Sequence, residues 1–336
     1  MELIAGIDPG MSLGDVGAYA NRVERLGYDA LHVPEMRSDP FVLAALALEA
    51  TSTLEVRTGV ALAFVRSPMA TALAAWSLAN SFGERLALGL GPQIRPNIEQ
   101  RYGMPFDRPV ARMDDYIAAV RACFTSFASG EPLKHEGPFY DLTRLQPEFR
   151  PEGSYAPSIW LGAVGNRMVA LAGRVADGLI THPTNSHQLD VAERIGPTLR
   201  EAAVSSGRPT PSLVVSPLVA TGPSAAEVDA ALDAARRRLA FLYSTPAYRP
   251  TLDRLGYGDV GPALRTLVRA QRWDELADVV PHTLVDAVIP TAPFSTLAES
   301  LHQRYLGLAD GVVVRPPGDP SHDAAFREFV EAFRQH

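Results

Sequence analysis

The stretch "SIWLGAVGNRMVALAGRVADGLITH" runs from Ser158 to His182. Ile159–Leu161 is apolar and strand-like, the turn Gly162-Ala163-Val164-Gly165-Asn166 follows, and helical spacing then holds to Val175. A second apolar run starts at once from Asp177-Gly178. Strand, turn, helix and strand in this order form a parallel unit, because parallel neighbours need a crossover between them. The same launch, with Gly or Asp ending a helix just before a strand, recurs in "LGYDALHV" (26–33), "SFGERLALGL" (81–90) and "LADGVVV" (308–314).

Outward from that unit, strand-like runs fall at 2–7, 28–33, 55–64, 85–90, 158–162, 177–181, 212–220 and 311–315. Helix-period segments lie between them at 13–26, 40–51, 68–82, 109–127, 165–175, 186–204 and 224–241. This alternation predicts an α/β fold, a (β/α)8 TIM barrel, over a single domain 1–336. An open dinucleotide-binding sheet is disfavoured, since no GxGxxG follows the first strand. Two segments break the rhythm: a hairpin and Pro-rich loop at 128–157, and a helical insertion at 242–293 placed to cover the barrel mouth.

The 336 residues are 46% apolar with a net charge of −7, which argues against nucleic acid or an anionic membrane as partner. Cys123 is the single cysteine, so no intramolecular disulfide forms, and it reads as a small core residue. The N-terminus lacks a basic n-region and a long apolar run, so a cytoplasmic protein is expected. Lys134 is the one lysine among many arginines, a composition typical of GC-rich bacteria such as actinobacteria.

In a barrel the residues after each strand build the active rim. Here these are Asp8, then Glu35 and Asp39, Arg66, Gln93 and Arg95, the Gly-rich turn, Thr181-His182, and Arg315. The eight histidines are scattered without ligand spacing, so no metal site is expected, and no GxSxG marks a hydrolase. A cofactor enzyme remains. The turn at 163–166 offers amides at a helix start, where a phosphate is favoured, with Thr181 placed to add a hydroxyl; glycines at 162 and 165 equally serve a plain tight turn. His32 reads as a satisfied core histidine, and Asp39 as the N-cap of the helix beginning at Pro40.

"EVRTGVALAFVRSP", "FGERLALGLGPQ" and the opening stretch together resemble the bacterial luciferase-like family, and within it the oxidoreductases that use the deazaflavin coenzyme F-420. The resemblance implies a ring bound at the mouth against a non-prolyl cis peptide at Gly59-Val60 or the next bond, with Ala61 beside it. It also implies a cofactor phosphate on Ala163, Val164, Gly165 and Asn166 with Thr181 close by, and Gln93 and Arg95 lining the ring and substrate pocket. Members often carry an Asp-His pair after the second strand, where this chain has Glu35 without an adjacent histidine. Glu35 and His182 are the candidate proton donors, on the argument that desolvation brings a pKa near neutrality. Hydride transfer between F-420 and a small organic substrate follows; an FMN-dependent two-component monooxygenase and a non-catalytic flavin-binding barrel are the alternatives. A homodimer is the family-like expectation.

Overall fold

Eight buried strand segments close into one parallel ring in the computed structural model, which describes residues 1–335. The first half holds β1 (Glu2–Gly6), β2 (Ala30–Val33), β3 (Glu55–Thr58), its continuation β4 (Ala61–Leu62), and β5 (Leu86–Gly91). A separate antiparallel pair, β6 (His135–Glu136) and β7 (Asp141–Leu142), lies in the segment before the next barrel strand. The second half holds β8 (Ile159–Gly162), β9 (Gly178–Ile180), β10 (Ser212–Val215) and β11 (Gly311–Val313). Pairing of β1 with β11 and of β3 with β5 closes the ring, so the expected (β/α)8 barrel is the fold.

Side chains alternate across each strand, as the period of two requires. Leu3, Leu31, Val56, Leu88, Leu161, Leu179 and Val312 face the helix layer and are buried there. Ile4, Ala87, Trp160, Ile180 and Val214 fill the lumen. Trp160 fits because Gly178 has no side chain: a Cβ there would stand 2.2 Å from the indole. Arg57 lies 4.4 Å over that indole and pairs with Glu2 and Glu55, closing the lower end of the lumen. Cys123 packs in the outer core, and burial pushes its thiol up to about 12.

Two strands stop several residues short of their apolar patterns. The run 212–220 stops at Val215, just before Ser216-Pro217, where proline has no N–H for a ladder. The run 55–64 breaks at a bulge. Arg57 pairs with Ala87 and Ala61 with Leu90, so Thr58, Gly59 and Val60 face only Leu88 and Gly89. The Gly59–Val60 peptide within it is cis. Thr58 keeps the neighbouring backbone satisfied: its hydroxyl accepts from Gly89 N–H at 2.8 Å and donates to Gly89 C=O at 2.7 Å.

The segment expected as an insertion at 242–293 shares an apolar cluster with the helix Ala225–Tyr243. That cluster is distinct from the barrel core and starts from Ala220, which bridges to Thr291. No helix among the described residues is long and apolar enough to cross a membrane.

Gly89 is the tightest point of this arrangement, because a Cβ on it would stand 1.9 Å from the Thr58 carbonyl oxygen. Gly89→Ala is therefore expected to lower the unfolding free energy by about 2–3 kcal/mol in urea titration. A variant as stable as the parent would show that the bulge does not press on this strand.

Candidate active site at the barrel mouth

The bulge carries Val60 over the mouth, and two glycines make room for it. A Cβ at Gly91 would meet Val60 Cγ2 at 2.5 Å, and one at Gly162 would meet Val60 Cγ1 at 2.9 Å. Gly162, which opens the turn, is thus space for a side chain. Gly165 differs: a Cβ there meets nothing within 4 Å, and the residue is exposed.

The turn after β8 presents its amides outward. Ala163 N–H is committed to Ile180 C=O at 3.2 Å, so the expected run of free donors moves on by one residue. The amides of Val164, Gly165, Asn166 and Arg167 have no protein acceptor among the described residues, and no side chain caps the helix Asn166–Val175. Unpaired N–H groups at a helix start, with the dipole behind them, suit an anion.

Buried polar groups fix this turn from below. Asn185 accepts from His182 N–H at 2.7 Å and donates to Ala163 C=O at 3.0 Å. Arg194 donates to Val164 C=O at 3.0 Å and to the Asn166 side chain at 2.8 Å, while Asp190, fully buried, holds its guanidinium. Arg254, from the helical insertion, reaches the same Asp190 at 2.9 Å. The Asp190–Arg194 spacing of four residues is visible in sequence, but nothing there ties either to a turn nearly thirty residues upstream.

The other expected residues divide into two groups. Glu35 lies beside the bulge, its N–H donating to Val60 C=O at 3.3 Å. Its carboxylate accepts from Leu62 N–H at 2.8 Å and from both terminal nitrogens of Arg66, at 2.6 and 3.0 Å. Both oxygens accept hydrogen bonds, so Glu35 braces the bulge. Arg66 is correspondingly engaged with Glu35 and Asp39. Asp39 is also the N-cap read from sequence, accepting from Phe41 N–H at 2.8 Å. The Thr181 hydroxyl, expected at the anion, is tied to Ser186 at 2.6 Å and to Ser216 N–H at 3.0 Å, bracing two strand ends. Gln93 takes a left-handed backbone, φ 58°, and its side chain accepts from Ile94 N–H. Arg95 is exposed on the rim, pairs with Glu99 and lies 5.1 Å over Phe106.

This closed parallel ring, with its bulged third strand, coincides with a family model that covers residues 3–311, described as luciferase-like monooxygenase. The chain belongs to the luciferase-like monooxygenase family. It is accordingly an oxidoreductase of that family. An uncharacterised protein of Mycobacterium tuberculosis is 38% identical over 317 residues, spanning 93% of this chain and 91% of its own. Among solved structures, a coenzyme F-420-dependent tetrahydromethanopterin reductase from Methanopyrus kandleri superposes with TM-score 0.80 at 18% identity, covering 98% and 96% of the two chains. An F-420-dependent secondary alcohol dehydrogenase, solved with an F-420–acetone adduct, gives TM-score 0.78 at 15% identity over 99% of each chain. At such identities the likeness is one of fold.

In this luciferase-like barrel His182 follows β9 with the same inward parity as Ile180. Its Nδ1 accepts from Thr184 N–H at 3.3 Å and lies 2.8 Å from the Thr184 hydroxyl. A backbone N–H only donates, so the ring proton of the neutral imidazole sits on Nε2. Burial, and then the nearby Arg238 charge, pull its pKa down to about 4. That is the reverse of the expected tuning toward neutrality. At pH 7 His182 is an uncharged N–H donor and no reservoir of protons. His32 is likewise lowered, to about 3, by burial and by Arg57. Its Nε2 has no hydrogen-bond partner, so it is a core histidine as read but not a satisfied one.

Both imidazoles titrate below their unfolded value of about 6.5, so the unfolded chain binds protons first. The stability they contribute is complete above that value and is lost as pH falls through the folded values. The unfolding free energy is expected to drop between pH 6.5 and 4, and the His182 Cε1–H resonance to titrate with a midpoint of about 4. A midpoint near 6.5 would contradict the buried, arginine-flanked setting. Arg66→Ala removes the partner of a buried carboxylate and is expected to cost about 2–4 kcal/mol in urea titration; no loss of stability would remove Glu35 as a brace.

Proposed function

We propose that this chain is a coenzyme F-420-dependent oxidoreductase that moves a hydride between the deazaflavin and a small organic substrate at the barrel mouth. The observation that carries this reading is the exposed turn with four outward amides at Val164–Arg167, set across β8 from Val60 on its glycine-walled bulge. One feature suits a phosphate and the other an apolar ring face. The residues present therefore fit a phosphorylated tricyclic cofactor. Two F-420-dependent enzymes share this fold, as does a monooxygenase solved with FMN, and the sequence resemblance stated above favours the deazaflavin.

The bound cofactor would supply a hydride from its central ring carbon. Everything else falls to the protein. Gly59, Val60 and Ala61 form the platform, held up by Glu35 through Leu62 N–H and Arg66. Ala163, Val164, Gly165 and Asn166 shape the anion turn, whose free amides run on to Arg167. Gln93 and Arg95 border the mouth beyond β5, and Thr181 acts through Ser186 and Ser216 to hold the floor. His182 offers Nε2–H to an oxygen atom of the substrate. Reduction of a carbonyl adds the hydride to carbon and a proton to oxygen; with His182 uncharged, that proton comes from solvent water.

Gly165 gives a clean test, because a side chain there meets no neighbour and its φ of −81° suits any residue. Gly165→Leu should fold normally and bind F-420 at least about tenfold more weakly by fluorescence titration. Unchanged affinity would overturn the phosphate assignment. Tight FMN binding by the parent chain, with no spectral response to F-420, would place it on the FMN-dependent branch of the family.

A further inference from the structure

We infer that Tyr248 is a positioning residue for His182, and that the group received by His182 is a carbonyl oxygen of the substrate. This rests on the hydride-transfer reading above and names a contact within it. Tyr248 belongs to the helical insertion, in the turn Pro246–Tyr248 that follows the helix Ala225–Tyr243. Its ring lies against the His182 imidazole with centroids 4.7 Å apart and planes 14° from parallel.

Two independent restraints act on the imidazole. In its plane, Thr184 N–H and the Thr184 hydroxyl hold Nδ1. On its face, Tyr248 blocks rotation about the last side-chain bond, because a turned ring would drive an edge into the phenol. The Nε2 edge is left, and it carries the proton. A fixed N–H donor recognises an acceptor and excludes an ammonium group. It is also uncharged at neutral pH, with Arg238 the charged group that bears on both rings. An uncharged donor polarises a carbonyl without forming the strong ion pair that a carboxylate would seek.

The stack also explains how an insertion outside the barrel acts on chemistry inside it. The helix Ala225–Tyr243 is anchored to the same loop by Tyr243, whose hydroxyl donates to Thr184 C=O at 3.2 Å. The phenol face of Tyr248 is therefore set by the insertion, while the Nδ1 partner is set by the barrel.

The test uses the full chain in three forms: parent, Tyr248→Leu, which keeps bulk without an aromatic face, and Tyr248→Phe, which restores the face. Nitrogen-15 spectra of the His182 ring, without cofactor, should show Nδ1 as acceptor and Nε2 protonated in the parent and in Tyr248→Phe. Tyr248→Leu should show averaging of the two tautomers. With reduced F-420 bound as the hydride donor, kcat for acetone reduction should fall about tenfold in Tyr248→Leu with cofactor affinity unchanged, and stay within about twofold in Tyr248→Phe. Acetone, but not acetate or isopropylammonium, should shift the Nε2 signal of the parent. An unaltered His182 spectrum in folded Tyr248→Leu would overturn the positioning role, whatever the cofactor proves to be. A shift caused by acetate alone would overturn the carbonyl assignment. Failure of the parent to bind F-420 would sink the function proposed above, and the cofactor-free spectra would still decide the role of Tyr248.

Discussion

The third strand has to leave the sheet without stranding the backbone of its neighbour, and Thr58 meets that demand. Where the ladder would have paired Gly89, the Thr58 hydroxyl accepts from its N–H and donates to its carbonyl. Buried backbone groups without partners cost about 1–3 kcal/mol each, so a bulge in the middle of a barrel wall needs such a substitute. Gly89 must also remain without a side chain, since the displaced Thr58 carbonyl occupies the position of its Cβ. A barrel with an alanine there keeps its ring only by flattening the bulge.

The mouth is shaped by this single departure. Val60 is pushed inward and is received by Gly91 and Gly162, on the two strands that follow in the ring. Glu35 then fixes the far side of the bulge with one bond to Leu62 N–H and a two-point pair with Arg66. Across the mouth, the buried Asp190–Arg194 pair holds the carbonyl side of the turn so that its amides face out. Glu35, Arg194 and Asn185 each bond backbone on another element, and these long-range bonds give the mouth a definite form. The two sides meet at β8, which carries Gly162 under Val60 and leads directly into the turn.

The helical insertion is joined to this frame at few points, and these points are polar or aromatic. Arg254 reaches Asp190, Tyr243 reaches Thr184, and Tyr248 stacks on His182. The insertion has its own apolar cluster, so it keeps its internal packing while presenting these side chains to the mouth. Its residues thereby reach the loop after β9 and, through Asp190, the turn after β8, while the bulge is held by Thr58, Glu35 and Arg66 from the barrel itself.

By itself the sequence determined the fold, because eight apolar runs of strand length, four of them launched from a Gly or Asp helix end, alternate with helical segments and have few closed solutions. It also placed a strand-to-helix turn at 162–166, since two glycines there end an apolar run just before helical spacing begins. Only the tertiary structure decided what each glycine is for. Gly162 yields to Val60, which lies about a hundred residues earlier in the chain, whereas Gly165 opens to solvent. Only the structure decided that Glu35 is a brace, because its partner Arg66 stands 31 residues away and no local spacing joins them. The state of His182 was hidden for the same reason. A histidine after a strand reads as a tunable acid, but its charge depends on burial, on Arg238 and on a Thr184 N–H aimed at Nδ1. Periodicity records which face of an element is buried; it does not record which distant group will be found there, and that decides chemistry.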